Sequence, residues 1–462
     1  MSVTVPAPGS VSICLFTADL RLHDNPVLHA ALRSGAQVVP LFVRDDGVRA
    51  AGFDVPNRRA FLADCLADLD AGLRERGGRL VLRSGDVVAE VCSVAAATGA
   101  RAVHLAAGVS AYARRREERL RTALAAAGCA LEVHDAVVTV VPPGAQVPQK
   151  SDHFAVFAPY FRRWQDTGVR EVLRAPRAVS VPEGLGSDAL PDRRKTAGLS
   201  PGLATGGERE GRRRLTSWLR GGLDAYEDDA SALAGDATSR LSPHLHFGTL
   251  SATELCHRAR AHPGPGGDAF VRQLAWRDFH HQVLAARPRT ASADYRPRHD
   301  RWRRDEKEAQ AWREGRTGYP VIDAAMRQLA HEGWMHGRAR MLAASFLSKT
   351  LYLDWRIGAR HFLDLLVDGD VANNQLNWQW VAGTGTDTRP NRVLNPVLQG
   401  KRHDPQGAYV RRWLPELAGL GGSAVHEPWK LPGPERARYD YPDPLIELPD
   451  AAARFKQARG LA

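Results

Sequence analysis

The stretch Asp368–Gly385, DGDVANNQLNWQWVAGTG, gathers residues that could do chemistry. It holds the acids Asp368 and Asp370 around Gly369, the amides Asn373, Asn374, Gln375, Asn377 and Gln379, and the indoles Trp378 and Trp380. Buried amides and carboxylates need hydrogen-bonding partners. Trp adds flat, electron-rich surface. Together they suit a large, flat heteroaromatic ligand with many polar atoms, such as a flavin. A polar loop anchored to a core by two Trp is the plainer reading of the same residues.

Such a site needs elements to position it. Short apolar runs recur at Ser12–Phe16, Val38–Val43, Leu80–Leu82, Ala102–Leu105 and Leu131–Val133. Longer amphipathic segments, such as Arg59–Arg76 and Tyr112–Ala127, separate them. That alternation predicts parallel strands with crossover helices, a Rossmann-like α/β domain over residues 1–135. No G-x-G-x-x-G follows the first strand, so an NAD-type fingerprint is absent. Residues 136–205 are rich in Pro and Gly, with a basic patch at Arg193–Lys195, and read as a linker wrapping the surface. From there to residue 462 the periodicity is helical. Val321–Glu332 puts Ile322, Ala325, Met326 and Leu329 on one face, with Pro320 suited to the first helical position. The expected fold is therefore a parallel α/β domain followed by an all-α domain over 206–462.

The 462 residues carry a net charge of +11, which favours a polyanionic partner, nucleic acid first. With 44% apolar and 25% charged residues, the composition is that of a globular protein. No run of 18 apolar residues predicts a membrane span, and the start lacks a secretory leader. The five Cys are scattered without C-x-x-C, which fits reduced thiols in a cytoplasm. No zinc-type spacing occurs, so no metal is expected. A monomer with no membrane association and no obligate protein partner is the expectation.

Several stretches carry a resemblance. DLRLHDNP (Asp19–Pro26), PQKSDHFAVFAPYFRRW (Pro148–Trp164), TSRLSPHLHFG (Thr238–Gly248), WRDF (Trp276–Phe279), TGYPVIDAAMRQL (Thr317–Leu329), GWMHGRARM (Gly333–Met341) and WLPEL (Trp413–Leu417) occur in this order. They resemble the motifs of the photolyase/cryptochrome family, and Asp368–Gly385 is similar to its flavin-cradling segment. Within the family the chain is most like the bacterial, actinobacterial-type members that repair cyclobutane pyrimidine dimers. One departure is the opening motif, where LFTADLRL replaces the commoner W-F-R-x-D-L-R-L.

The resemblance implies reduced FAD in the helical domain. It assigns Tyr226, Thr238, Ser239, Arg240, Leu241 and Ser242 to the phosphate and ribityl contacts. Asp368, Gly369 and Asp370 fall along the ring edge and ribityl side, Arg340 pairs with Asp368, and Asn374 faces flavin N5. Plant-type cryptochromes carry Asp at that last position and insect ones Cys, so Asn is the photolyase-like choice. Trp378, Trp355 and Trp302 match a three-Trp electron relay. An antenna chromophore belongs in the α/β domain. Tyr112 and Ala113 stand where folate-type members carry Asn-Glu, and AYARRREERL (Ala111–Leu120) is similar to deazaflavin-binding members. The expected antenna is 8-hydroxy-5-deazaflavin, with methenyltetrahydrofolate the second choice.

The implied substrate is UV-damaged DNA, its lesion flipped out of the duplex. Trp276 and Trp380 match the flat walls around it, with Gln273, His280, Gly337 and Met341 beside them. Arg277, Arg338, Arg392 and Lys401 are candidates for phosphate contacts. Gln273 replaces a customary Glu and Gly337 a customary Asn. Members acting on (6-4) photoproducts need a His acid, and the two matching positions here are Gly337 and Met341. A light-driven carbon-carbon lyase for cyclobutane dimers is the favoured function. The alternatives are a cryptochrome-type photoreceptor, a (6-4) photolyase, and a nucleotide-binding α/β protein with an unrelated helical domain.

Overall fold

In the computed structural model, which describes residues 9–235, 237–262 and 264–461, five apolar runs become five strands. They are Val11–Leu15 (β1), Gln37–Asp45 (β2), Val81–Gly85 (β3), Ala102–Ala106 (β4) and Ala130–His134 (β5). All pairs are parallel, in the order β3-β2-β1-β4-β5. Central β1 sets Ile13 against Val39 on one side and Val103 on the other. All five of its residues are buried, which is why it reads as a continuous apolar run.

Parallel neighbours need crossovers. The helices Pro26–Ser34, Pro56–Arg74, Val87–Thr98 and Ala111–Ala126 supply them. Their starts are written locally. Asn25, Asp86 and Ser110 each accept a backbone N–H of the first turn, and Pro26 and Pro56 sit at the helix starts. The DLRLHDNP motif is structural in this unit. Arg21 is buried and donates to the carbonyls of Asp24 (3.0 Å), Gly248 (2.9 Å) and Val137 (3.2 Å). Burial holds its pKa below the ordinary arginine value.

The Pro- and Gly-rich segment after β5 has two roles. Ser187 Oγ accepts the Leu82 N–H at 2.9 Å, and the Asp188 N–H donates to the Leu82 carbonyl at 2.8 Å. These bonds cover the open edge of β3. The segment also contains a helix, Phe157–Asp166, that buries Phe157, Tyr160 and Trp164. Their i, i+3, i+7 spacing is the reason this part of a loop-like stretch is helical.

Two compact units are interleaved along the chain. The first runs to Leu199 and adds Ala204–Asp224 and Ser239–Pro288. Its later part includes the helices Glu208–Gly221, Ala252–Arg260 and Pro265–Ala286. The second comprises Ser200–Leu203, Ala225–Thr238 and Arg289–Ala462.

In the second unit the helices include Glu306–Glu314, Pro320–Glu332, Gly337–Ser345, Trp355–Leu365, Val371–Ala382, Pro396–His403 and Leu448–Ala458. Pro320–Glu332 is central. Ile322, Ala325, Met326 and Leu329 enter one apolar core with Trp312, Phe346, Leu347, Trp355, Phe362 and Trp378. Asp323 lies in this helix without exposure. It accepts from Thr317 N (2.8 Å), Thr317 Oγ1 (2.7 Å), Gly318 N (3.0 Å) and the Tyr441 hydroxyl. Burial nevertheless pushes its pKa up to about 6. Among the described residues no strand follows β5; the one further β contact is an isolated bridge between Arg303 and Leu353.

Two buried histidines of the first unit make stability depend on pH. His104 and His244 are 4% and 2% exposed, and desolvation pulls each pKa down to about 4. Each is thus neutral when folded and takes up a proton more readily when unfolded. Stability is retained above the unfolded pKa of about 6.5 and declines as pH falls towards 4, by about 1–3 kcal/mol per group. Urea midpoints at pH 7 and pH 4.5 measure the loss. The difference should shrink in His104→Gln.

Candidate functional site

The polar stretch after Leu366 is largely a helix rather than a loop. Asp370 caps Val371–Ala382, its Oδ1 accepting from Asn373 N (2.7 Å) and Asn373 Nδ2 (2.9 Å). Gly383, at φ +81°, ends it in the left-handed region. Several of its amides serve the fold. Gln379 is fully buried, donates to Thr290 O at 2.7 Å and accepts from Tyr295 N at 2.8 Å. Gln375 donates to Ala291 O at 2.6 Å.

Asn374 and Asp368 differ from these. Asn374 spends both amide hydrogens, on Ala359 O (3.0 Å) and Gln375 Oε1 (2.9 Å), which leaves its oxygen to meet a ligand. Asp368 accepts Arg340 through Oδ2 at 2.8 Å, while its Oδ1 is buried without a partner. Arg340 is oriented by a second bond, from Nε to the Met335 carbonyl at 2.8 Å. Thr238 Oγ1, in the same unit, is likewise buried and unpartnered. A buried orphan acceptor and hydroxyl are destabilising unless something pairs with them. They fit a ligand rich in N–H and O–H groups, as FAD is. Tyr226 is half-buried, and burial pushes its phenol up to about 12.

In the first unit, Ser239–Ser242 turns through a left-handed Arg240 (φ +51°) into a short helix beginning at Ser242. Ser239 Oγ accepts Leu241 N at 3.3 Å, and Leu241 is buried.

The Trp candidates differ in burial. Trp378 and Trp355 are 2% and 0% exposed, while Trp302 is half-buried. Trp355 Nε1 donates to Asp294 Oδ1 at 2.9 Å, and the Arg356 guanidinium lies 4.7 Å from its ring centre. Trp302 packs on Tyr352 with centroids 5.0 Å apart. Trp312, which the sequence reading did not single out, stands edge-on to Trp378 at 6.0 Å. Its position in the apolar i, i+3 pattern of its own helix marks it only as core.

On the helix Pro265–Ala286, Gln273, Trp276 and His280 follow i, i+3, i+7 spacing and share a face. Gln273 is exposed, Trp276 half-buried and His280 buried. Phe157 covers one face of Trp276, the rings 3.7 Å apart and within 6° of parallel. Arg277 does not reach out as a phosphate contact. Its guanidinium is drawn inward, to Val138 O (2.6 Å) and Leu245 O (3.3 Å). Lys401 is also committed, to the Glu427 carboxylate that Lys430 shares.

The second unit has a cationic face with fewer restraints. Arg338 bonds Ser231 Oγ at 3.0 Å, and burial, then Arg402 and Arg392, lower its pKa. None of these three arginines has an ion pair among the described residues. Arg392 is exposed and stands 5.8 Å over the half-buried Trp380 ring. A Cβ built at Gly337 meets nothing within 4 Å, so there is open space beside that position; Met341 is half-buried. Clustered like charges beside an indole suit an anionic, stacking ligand such as a nucleic acid.

Comparison with known proteins decides the family. A profile for the FAD binding domain of DNA photolyase matches residues 270–460, and a DNA photolyase profile matches residues 12–179. The deoxyribodipyrimidine photo-lyase of Streptomyces griseus is 70% identical over 453 residues, which cover 98% of this chain and all of that protein. The chain belongs to the photolyase/cryptochrome family. Among solved photolyases, the bacterial class III photolyase of Agrobacterium tumefaciens superposes with TM-score 0.92 at 32% identity, covering 100% of this chain and 98% of its own. The archaeal photolyase of Sulfolobus tokodaii, which holds two FAD molecules, gives 0.85 at 30% identity, covering 98% of this chain and all of its own. The parallel α/β domain and the helical, FAD-binding C-terminal domain of this photolyase-family chain follow the same architecture.

Packing around Trp378 yields a test. A Cβ at Gly358 would lie 2.1 Å from Trp378 Cη2 and 2.6 Å from Leu347 Cδ2. At an open helical site Gly→Ala stabilises by about 1 kcal/mol. Here Gly358→Ala should destabilise by about 1–3 kcal/mol through overpacking, read as a lowered thermal unfolding midpoint.

Proposed function

We propose that this protein is a light-driven DNA lyase that splits cyclobutane pyrimidine dimers in UV-damaged DNA. The single observation that carries the reading is the 70% identity, over nearly the whole chain, to a deoxyribodipyrimidine photo-lyase. Reduced FAD, when bound and excited by near-UV or blue light, supplies the one electron that opens the cyclobutane ring and takes it back afterwards.

The chain's own residues bind, orient and supply. The Thr238 hydroxyl and Tyr226 would serve the cofactor's phosphate and ribityl side, and Asp368 Oδ1 would accept from its ring edge, with Gly369 and Asp370 beside it. Arg340, already held by Asp368, puts a positive charge there and favours an anionic reduced flavin. With flavin bound, the Asn374 oxygen would accept a hydrogen from a ring N–H. Ser239, Arg240, Leu241 and Ser242 serve the diphosphate with hydroxyls, backbone N–H groups and a guanidinium. Trp378, Trp355 and Trp302 deliver electrons from the surface. The Asp294 carboxylate, which also pairs with Arg356, holds the Trp355 N–H and so fixes that indole.

Trp276 and Trp380 stack on the extruded lesion, Gln273 and His280 meet its polar edge, and the space beside Gly337 and Met341 admits its bulk. Arg338 and Arg392 take phosphates. The α/β domain, residues 1–135, carries an 8-hydroxy-5-deazaflavin antenna, with methenyltetrahydrofolate as the rival. Residues 136–205 as linker and 206–462 as helical repair domain are the divisions the family resemblance implies, while by packing Ala204–Asp224 and Ser239–Pro288 belong to the compact unit that holds the sheet. Tyr112, whose hydroxyl donates to Asp45, and Ala113 offer no Asn-Glu pair for a pterin. The enzyme acts as a cytoplasmic monomer. Among the described residues no helix is long and apolar enough to cross a membrane.

The test is repair of defined oligonucleotides bearing either a cyclobutane dimer or a (6-4) photoproduct, in light and in darkness. Dimer repair in light alone is expected; no repair by flavin-loaded protein would point to a photoreceptor. Trp276→Ala should weaken dimer binding by about 1–3 kcal/mol, the stacking of one base, measured by titration in the dark. Trp302→Phe should block photoreduction while chemically reduced enzyme still repairs.

A further inference from the structure

Lys349 lies in the apolar run LAASFLSKTLYL and is 2% exposed. It belongs to a π-turn, Phe346–Thr350, that extends the helix Gly337–Ser345. Such turns are uncommon and occur often at functional sites. The ammonium has no ion pair among the described residues. Instead Nζ donates to the carbonyls of Pro390 (2.9 Å) and Arg392 (2.7 Å). The ring of Phe455, from the C-terminal helix, lies 5.8 Å away. Desolvation brings the Lys349 pKa down to about 7; Asp387 and Asp300 favour its charge, while Arg459 and Arg392 oppose it.

The bonded carbonyls belong to the irregular segment between the helices Val371–Ala382 and Pro396–His403. Close packing pins its start, since a Cβ at Gly383 would come within 2.3 Å of Pro390 O. Its exposed tip carries Arg392, whose guanidinium covers Trp380.

We propose that Lys349 is a positioning residue for the substrate rim: its buried ammonium, fixed on the Pro390 and Arg392 carbonyls, sets the turn from which Arg392 reaches over Trp380. The inference rests on the reading that Trp380 and Arg392 meet damaged DNA. A rim ordered in advance loses less freedom on binding than a mobile one. A charged donor also holds a carbonyl more strongly than a neutral amine. The turn therefore loosens as the ammonium loses its proton above neutrality.

The test uses full-length, flavin-loaded protein titrated in darkness with a single-dimer oligonucleotide at fixed salt, from pH 6.5 to 8.5. Wild type should bind more weakly as pH rises. Lys349→Met should raise Kd about three- to tenfold at pH 6.5, the worth of one to two hydrogen bonds, and flatten the profile. Its flavin content and photoreduction should match wild type. Asp387→Asn keeps an acceptor for the Arg389 N–H but removes a charge that favours the ammonium. It should move the weakening to lower pH, and it decides the matter alone if Lys349→Met does not fold. Wild-type affinity in Lys349→Met, or an Asp387→Asn profile superimposed on wild type, overturns the proposal. Trp380→Ala separates the two layers. If it weakens binding while both other variants behave as wild type, only the positioning role falls; if it binds as wild type, the pocket lies elsewhere and both fall.

Discussion

A carboxylate buried with one oxygen paired and the other open is the constraint on which the candidate site of the second unit depends. Asp368 is held by Arg340, and Arg340 by the Met335 carbonyl, so the open Oδ1 has a fixed direction. Leaving such a group unpaired costs free energy that a partner would recover. The elements around it hold that geometry: Asp370 starts the next helix two residues on, and Gly383 ends it. Asp368 Oδ1 thus leaves an incomplete hydrogen-bond set, which a ligand rich in N–H and O–H groups would complete.

Buried hydrogen bonds also show which residues support the fold. Gln375 and Gln379 pin the segment Thr290–Tyr295, which carries the Asp294 acceptor of Trp355. In the first unit, Asp278 anchors Val140, Val141 and the Trp164 indole through one oxygen, and so stabilises the helix that presents Gln273 and Trp276. The candidate residues Trp355, Gln273 and Trp276 are thus backed by buried polar groups. Precise placement of an indole or an amide depends on those supports, because a loosely held aromatic must be ordered anew at each binding event.

Charge is divided in the same way. The basic excess of +11 points to an anion, but the positive groups are not equivalent. Arg277 and Lys401 are spent within the protein, Lys349 is buried as a fastener, and Arg338, Arg392 and Arg402 are left without acid partners among the described residues. A like-charged group of this kind is self-repelling until a phosphate backbone relieves it.

Much of the architecture was legible in the chain because it is encoded locally. The five apolar runs and their crossovers follow from short-range patterning. Pro320 announces a helix start, and the family motifs identify the cofactor class. What local pattern could not reveal is which partner each group meets. The helix at Phe157–Asp166 is hidden in a loop-rich composition. Helices after residue 206 divide between two compact units, because periodicity says that a face is buried, not against what. Arg277 and Arg392 look alike as residues, yet one turns inward to two carbonyls and the other stays on the surface. The sequence alone determined most of the elements, the fold class and the family, since those depend on neighbours in the chain. Only the tertiary structure decided which amides, acids and cations remain open, since hydrogen bonding and desolvation depend on neighbours in space.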